Sequence, residues 1–332
     1  MTEFFYEYGL FFAKTTTLVV AIIAVVLFVV VIASRKQHQK EFIEVKKINE
    51  KYENMALAMQ SNMLYKDGLK KYLKQEKDKH KDAQKEAKGG GRNKRIYVLN
   101  FHGDIRASAV ASLREEITAV LTVAEEKDEV FVRLESGGGM VHSYGLAASQ
   151  LMRLREKNIP LTVSVDKVAA SGGYMMACVG NRIIAAPFAI LGSIGVIAQV
   201  PNFNRVLKKH DIDYDQFTAG EFKRTVTVFG ENTDEAKAKF REEIEDIHVL
   251  FKDFIVHNRP EVDIAKVSTG ESWPGTRALE RKLVDELKTS DDYLLEQSKD
   301  ADLFEISFVS RKSLSEKMGF QMQKLLDKWQ FG

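Results

Sequence analysis

The chain has 332 residues, 45% of them apolar, which is enough for one or two domains with a sizeable core. Its single cysteine, Cys178, excludes an internal disulfide, and its place in an apolar run indicates packing. The net charge is only +2, but residues 35–95 carry 18 Lys/Arg against 9 Asp/Glu, a local charge of +9. The near-neutral total therefore hides a strongly basic amino-terminal region.

An uncharged stretch from Thr15 to Ser34 predicts a transmembrane helix. Twenty residues at about 1.5 Å each span roughly 30 Å, the thickness of a bilayer core. A cleaved signal peptide is the alternative, but the apolar run is long for one and Ser34-Arg35-Lys36 offers no small-residue cleavage site. Because basic residues cluster after the span, the positive-inside rule favours a cytoplasmic location for the rest of the chain. We expect residues 1–34 to form a single-pass anchor.

Residues 35–95 are rich in Lys, Glu and Gln and lack proline, which predicts a charged helical stalk ending at Gly89-Gly90-Gly91. Apolar residues from Ile43 to Leu64 recur at helical spacing. A solvated stalk and linker is the plain interpretation. A contact with lipid headgroups is the alternative, and the small number of interleaved aromatic residues argues against nucleic acid as a partner.

Residues 96–332 alternate between strand and helix patterns, which predicts an α/β domain with a largely parallel sheet. Functional sites in such folds collect at the carboxyl ends of the strands. The tail at 314–329 is amphipathic and favours packing or subunit contact over membrane binding. The predicted strands are 96–101, 129–134, 161–165, 182–186, the glycine-spaced run 190–196, and 213–219. The predicted helices are 108–124, 140–155, 174–179, 233–257 and 276–287.

Ser171 lies where a predicted buried strand turns into a short helix, and Gly172 and Gly173 follow it. This placement exposes a hydroxyl at the sheet edge, beside the unpaired N–H groups of a helix start. A serine next to free N–H donors is the minimum requirement for acyl-transfer chemistry. The alternative is that Ser171 only caps the helix and that the glycines allow close packing.

Other strand ends carry candidate groups. The glycines of Ser136–Gly139 can offer N–H groups to a ligand or form a simple turn, and they lack the lysine and hydroxyl of a phosphate loop. Lys223 could act as a base if its pKa fell from about 10.4 to near 7, and an ordinary surface lysine is the alternative. His102 and His142, near strand ends, remain possible bases. No HExxH or paired-cysteine signature is present, so the sequence predicts no metal site.

Four segments together resemble, in order and spacing, the signal peptide peptidase A family of serine proteases, peptidase family S49. They are Glu135–Gly139, Val168–Gly173, Gly192–Val196 and Ala219–Lys223. With one amino-terminal span and a charged stalk, the chain is most similar to the SohB branch of bacterial inner-membrane peptidases. The resemblance implies a Clp protease/crotonase-like fold of repeated ββα units over residues 96–332.

The resemblance also implies roles for individual residues. Ser171 would be the nucleophile, Lys223 its general base, and Ser193 a hydrogen-bond partner that orients the lysine. The N–H groups of Gly138 and Gly172 would form the oxyanion hole. Subunits of the family assemble into rings, so one site could take its serine and lysine from one chain or from two neighbours. No cofactor is implied.

The sequence departs from the family pattern at Gly137, where proline is usual, and at Lys282, where glycine is common. The resulting prediction is a membrane-anchored Ser–Lys endopeptidase that cleaves unfolded or membrane-derived peptides after small apolar residues. Two alternatives remain: a crotonase-like acyl-CoA enzyme, whose paired N–H groups stabilise an enolate, and a membrane scaffold with an inactive peptidase domain. Family precedent permits a periplasmic catalytic domain, against the charge bias.

Overall fold

The computed structural model describes residues 2–36, 41–88, 93–220 and 222–309. The helices are α1 Thr2–Lys36, α2 Ile48–Met63, α3 Lys66–Lys88, α4 Val110–Leu121, α5 Val141–Glu156, α6 Gly172–Ala177, α7 Asn204–Lys209, α8 Asp234–Asn258, α9 Ile264–Val267, α10 Gly275–Glu280 and α11 Ser290–Gln297. The strands are β1 Phe42–Lys47, β2 Lys94–Gly103, β3 Glu129–Ser136, β4 Leu161–Val165, β5 Val168–Ala170, β6 Arg182–Ala185, β7 Ile190–Gly192, β8 Ser272–Pro274, β9 Glu286–Leu287 and β10 Ala301–Val309.

The chain divides into two compact units, one of residues 44–307 and the other containing α1. Helix α1 includes the whole predicted span at residues 15–34. Its window Tyr6–Ile23 is long and apolar enough to cross a membrane. The sequence boundaries at 34/35 and 95/96 remain predictions, and the amphipathic tail at 314–329 lies outside the described residues.

A ten-stranded sheet forms the centre of the larger unit, in the order β1-β10-β2-β3-β4-β6-β9. The pairs from β10 to β9 are parallel. Strand β5 leaves this path to pair with β3 and β7, and β7 pairs antiparallel with β8. Strand β4, the side strand β5 and helix α6 thus make a ββα unit. The predicted α/β class with a largely parallel sheet is confirmed.

The central strands of the sheet are deeply buried. All five residues of β4 are buried and β3 is nearly so, as expected for parallel strands covered on both faces. The rings of Phe131 on β3 and Tyr293 on α11 stack with centroids 4.8 Å apart. Next to the same buried cluster, the Asn49 side chain on α2 donates to Ala301 O at 3.0 Å and accepts from Leu303 N–H at 2.7 Å. These bonds tie α2 to β10.

Four secondary-structure predictions differ substantially from the structure. The predicted helix near Ile43 begins instead as the edge strand β1, because Ile43 and Val45 alternate with charged residues at the period of a strand. The predicted strand at 213–219 is absent from the described chain, since this segment is exposed and pairs with no other strand. The predicted strand at 190–196 ends at Gly192. The predicted helix at 276–287 ends at Glu280.

Helix α10 ends next to a residue in the left-handed backbone conformation. Lys282 has φ +60°. Its N–H donates to Leu279 O at 3.0 Å, and the Leu283 N–H donates to Ala278 O at 2.9 Å. These two bonds form a Schellman motif, whose left-handed position glycine fills at least cost. The lysine found where the family often has glycine therefore stands in a strained conformation.

Candidate active site

The ladder between β5 and β7 positions Ser171. Ala170 pairs with Gly192, so Ser171 is the first residue beyond the end of β5 and directly precedes α6. Its backbone has φ +52° and ψ −120°, a conformation that L-residues rarely adopt. The Ser171 N–H donates to Gly192 O at 2.7 Å, which fixes this turn. Ser171 is thus found between a strand and a helix as predicted, but the strand is β5 and not the predicted run 161–165, and the sequence did not reveal the strained backbone.

The Ser171 hydroxyl does not cap α6. Ser171 occupies the N-cap position, yet its side chain makes no capping hydrogen bond, and its hydroxyl has no partner among the described residues. The side chain is half-buried. The capping alternative therefore fails on geometry, and the hydroxyl is left available for chemistry.

Gly172 supplies an N–H donor beside that hydroxyl. It is the first residue of α6, where N–H groups have no intrahelical acceptor, and no acceptor for it lies among the described residues. A Cβ at Gly172 would lie 2.8 Å from Tyr144 Cβ, so the buried tyrosine excludes any larger residue. The helix start also favours negative charge. An anion next to Ser171 would meet this donor.

Gly138 brings the loop after β3 against Ser171. Its φ is +89°, and a Cβ there would lie 2.7 Å from Ala170 O and 2.8 Å from Ser171 Cβ. Only glycine allows this backbone approach. The Gly138 N–H, however, donates to Ser136 Oγ at 3.0 Å. Of the two predicted oxyanion donors, the one on Gly172 is free and the one on Gly138 is engaged.

A buried hydroxyl chain holds this loop, and the sequence did not indicate it. Ser136 Oγ lies 2.5 Å from Tyr144 Oη, and Tyr144 Oη donates to Asp104 O at 2.7 Å. Burial raises the pKa of Tyr144, so its hydroxyl stays protonated and able to donate. Tyr144 is on α5 and Asp104 follows β2, so only the tertiary fold brings them together.

Ser193 repeats the geometry of Ser171 on the neighbouring strand. It follows Gly192 at the end of β7, has φ +51°, and is half-buried. Its N–H donates to Glu271 O at 2.6 Å. The Ser193 hydroxyl has no partner within the described part of the chain. Two serines thus lie side by side at the carboxyl ends of paired parallel strands.

Lys223 and Ser171 share no hydrogen bond among the described residues and line different cavities. Lys223 is exposed and lies in an irregular segment, where it lines an open cavity of about 680 Å³ together with Tyr214 and Phe229. Ser171 lines a separate cavity of about 20 Å³. The alternative bases do not line that cavity either: His142 is exposed, and the 75% exposed side chain of His102 lies 3.7 Å from Glu135.

The small cavity at Ser171 is lined mainly by apolar residues. Two of them, Ile247 and Phe251, are on α8, a helix that the sequence did not indicate as part of the site. A volume of about 20 Å³ holds little more than one water-sized group. Its other lining residues are Gly139, Val141, Gly172, Met175, Gly195 and Val196.

Cys178 takes no part in this site. Its side chain is fully buried, and its thiol donates to Met175 O at 3.2 Å. Burial raises the pKa of the Cys178 thiol to about 12. A thiol with that pKa remains protonated at neutral pH and is a poor nucleophile. The structure agrees with the packing role predicted for this cysteine.

Comparison with known proteins defines the class. The family model described as "Peptidase family S49 N-terminal" matches residues 3–151, and "Peptidase family S49" matches residues 153–303. A "Probable protease SohB" of Buchnera aphidicola subsp. Schizaphis graminum is 45% identical over 296 residues, covering 88% of this chain and 86% of the relative. The chain therefore belongs to peptidase family S49. The resemblance to the SohB branch is confirmed by these relatives.

Two further matches complete the comparison. A "Probable protease SohB" of Haemophilus influenzae is 58% identical over 229 residues, or 69% of this chain. The chain spans 65% of that relative's length. A solved structure of the 1510-N membrane-bound stomatin-specific protease with a substrate peptide is 13% identical, with a TM-score of 0.43, and covers 70% of this chain and 100% of its own.

Proposed function

We propose that the protein is a membrane-anchored serine endopeptidase whose nucleophile is Ser171. The observation that carries this proposal is the Ser171 backbone at φ +52°, which presents an unbonded hydroxyl beside the free N–H of Gly172. Strained backbone of this kind collects at functional sites, where the surrounding structure maintains it. A nucleophilic serine on a sharp strand-to-helix turn is a recurring solution for acyl transfer.

The chemistry follows from the groups around Ser171. Lys223 acts as the general base and takes the proton of the Ser171 hydroxyl as the Ser171 oxygen attacks the peptide carbonyl. The N–H of Gly172 donates to the developing oxyanion. The Gly138 N–H becomes the second donor. It gives up its hydrogen bond to Ser136 Oγ and donates to the oxyanion instead. The protonated Lys223 then gives the proton to the leaving amine, and water hydrolyses the acyl-enzyme by the reverse route.

We propose further that Lys223 serves a Ser171 on a second copy of the chain, in a ring-shaped oligomer. Within one chain the two residues line different cavities. The stretch between β7 and α8, which carries Lys223, exposes large apolar side chains, including Phe217 at 94% and Ile197 at 79%. Exposed apolar surface of this extent is typical of a protein interface. In such an assembly Ser193 would hold Lys223 in place by a hydrogen bond.

The substrate proposal rests on the cavity beside Ser171. Its volume of about 20 Å³ and its apolar lining favour small apolar residues at P1. Unfolded or membrane-derived peptides are the substrates that family membership suggests. Helix α1 supports a single-pass anchor in the bacterial inner membrane, with the basic residues after it favouring a cytoplasmic catalytic domain.

A fluorophosphonate probe tests the nucleophile directly. We expect covalent labelling of the wild-type chain on Ser171 and no labelling of Ser171→Ala. Ser149→Ala, a change at an exposed serine on α5, is the matched control and should label normally. The acyl-CoA alternative is favoured instead if the probe labels neither protein while acyl-CoA is consumed. The scaffold alternative is favoured if oligomers form and neither reaction is observed.

A further inference from the structure

Helix α3 carries most of its lysines on one side. Seven of its nine lysines recur at intervals of four, four and three residues, an eleven-residue repeat that stays on one helical face. From first to last they cover about 33 Å of helix. We call this row the lysine face. Its members are Lys66, Lys70, Lys74, Lys77, Lys81, Lys85 and Lys88.

The first four members of the lysine face, from Lys66 to Lys77, are turned to solvent. None of these four makes an ion pair within the described residues. The half-buried residues Leu69 and Tyr72 lie on the other side of the helix. These four lysines are therefore not used in packing against the rest of the chain.

The lysines of α3 outnumber its acidic residues by nine to five. Lys66, Lys70 and Lys74 follow each other four residues apart, and like charges at this spacing destabilise a helix. Three aspartates lie three or four residues from members of the row and offset only part of its charge. The remaining excess of positive charge points to a partner that neutralises the row.

An extended anionic surface fits this row. Helix α3 begins 30 residues along the chain from the end of α1, so it stays tethered near any bilayer that α1 enters. Bacterial membranes that contain anionic lipids attract basic segments next to a membrane span. Nucleic-acid sites combine basic residues with stacking aromatics, and Tyr72 is the one aromatic residue of α3.

We infer that the lysine face of α3 binds the anionic headgroups of the membrane in which α1 is anchored. The inference rests on the proposed anchor and is independent of peptidase chemistry. Binding would hold the catalytic unit at the bilayer surface, where membrane-released peptides first become available. It would also remove the repulsion along the lysine row, so α3 should be more stable on an anionic membrane.

Hydrogen–deuterium exchange of the full chain in lipid nanodiscs tests this inference. Exchange of residues 66–88 is compared between phosphatidylcholine discs and discs with about 30 mol% phosphatidylglycerol. We expect exchange to slow about threefold or more with the anionic lipid at about 50 mM NaCl, and the slowing to vanish at about 500 mM. The readout is the ratio of the exchange rates in the two kinds of disc. Differences in the intrinsic stability of the helix cancel in this ratio.

Two double variants with equal loss of charge separate the lysine face from general basicity. Lys74→Gln with Lys81→Gln should remove most of the lipid effect. Lys71→Gln with Lys79→Gln, which lie off the face, should retain it.

Equal responses of the two variants would overturn the inference, as would equal exchange in both lipids. Protection by polyglutamate but not by anionic lipid would also overturn it and favour an acidic protein partner. Failure to co-purify with discs would contradict the anchor itself, whereas lost peptidase activity would leave this readout unchanged.

Discussion

Ser171 and Ser193 are neighbours at the ends of the paired strands β5 and β7, and their φ angles are +52° and +51°. Each backbone N–H is held by a short hydrogen bond, and each hydroxyl lacks a partner among the described residues. Glycine would adopt both conformations with less strain. Packing alone therefore gives no reason for serine at either position, and the reason we propose is chemical.

Replacing Ser171 with glycine should separate stability from activity. Ser171→Gly relieves the positive φ, so we expect the free energy of unfolding to rise by up to about 1 kcal/mol. Hydrolysis should be lost because the hydroxyl is gone. Chemical denaturation and a peptide assay measure the two effects. Ser171→Ala is the control: it loses activity without the gain in stability. A fall in stability for Ser171→Gly would show that the hydroxyl has a structural role.

Lys282→Gly should also stabilise the protein, but without affecting catalysis. Lys282 occupies the left-handed position of a Schellman motif, which costs a non-glycine residue about 1 kcal/mol. We expect a rise of about 0.5–1 kcal/mol in the free energy of unfolding, measured by denaturant titration. Lys288→Gly, outside such a motif, serves as the comparison and should not stabilise. No gain for Lys282→Gly would contradict the assigned helix end.

Tyr144→Phe should loosen the loop that carries Gly138. The substitution removes the hydroxyl that hydrogen-bonds Ser136 Oγ and the Asp104 carbonyl. Both groups then lose their hydrogen bond to Tyr144. We expect a loss of about 1–2 kcal/mol in the free energy of unfolding. We also expect kcat to fall more than KM changes, because the oxyanion donor becomes less well placed. Tyr65→Phe, at a 94% exposed tyrosine, should change neither quantity.

Ile247→Ala should enlarge the cavity beside Ser171 and change the P1 preference. Ile247 on α8 is half-buried and lines this cavity. We expect the ratio of kcat/KM for leucine over alanine at P1 to rise about tenfold. Leu250→Ala, at a 62% exposed position of the same helix, should leave the ratio unchanged. An unchanged ratio for Ile247→Ala would remove this cavity from the P1 assignment.

The helix start after Ser171 was predictable because it depends on local signals, a β-branched apolar run followed by paired glycines. The side strand β5, which lies between that run and Ser171, was not predictable, and neither was the hydroxyl chain from Ser136 through Tyr144. A strand of three residues such as β5 is stabilised by its pairing with β3 and β7, which the local sequence does not reveal. Tyr144 meets Asp104 only because α5 packs beside the end of β2.

The segment around Lys223 misled sequence reasoning for a physical reason. The segment from Asp213 to Ala219 mixes aromatic and polar residues and ends at Gly220, as an edge strand can. In the structure these residues are exposed and pair with no strand, and Phe217 is 94% exposed. Apolar residues that contact another subunit and those that fill a core produce the same pattern. The two cases differ only in what covers the apolar residues. We propose that a second chain covers those of this segment.

Subunit complementation tests the central claim most directly. Ser171→Ala and Lys223→Met are co-assembled in equal amounts, and peptide hydrolysis is compared with that of each variant alone. The proposed dyad predicts that both variants are inactive alone and that random mixing in a ring restores about a quarter of the wild-type sites. Persistent inactivity of the mixture would place the dyad within one chain. Full activity of Lys223→Met alone would contradict the Ser171–Lys223 mechanism altogether.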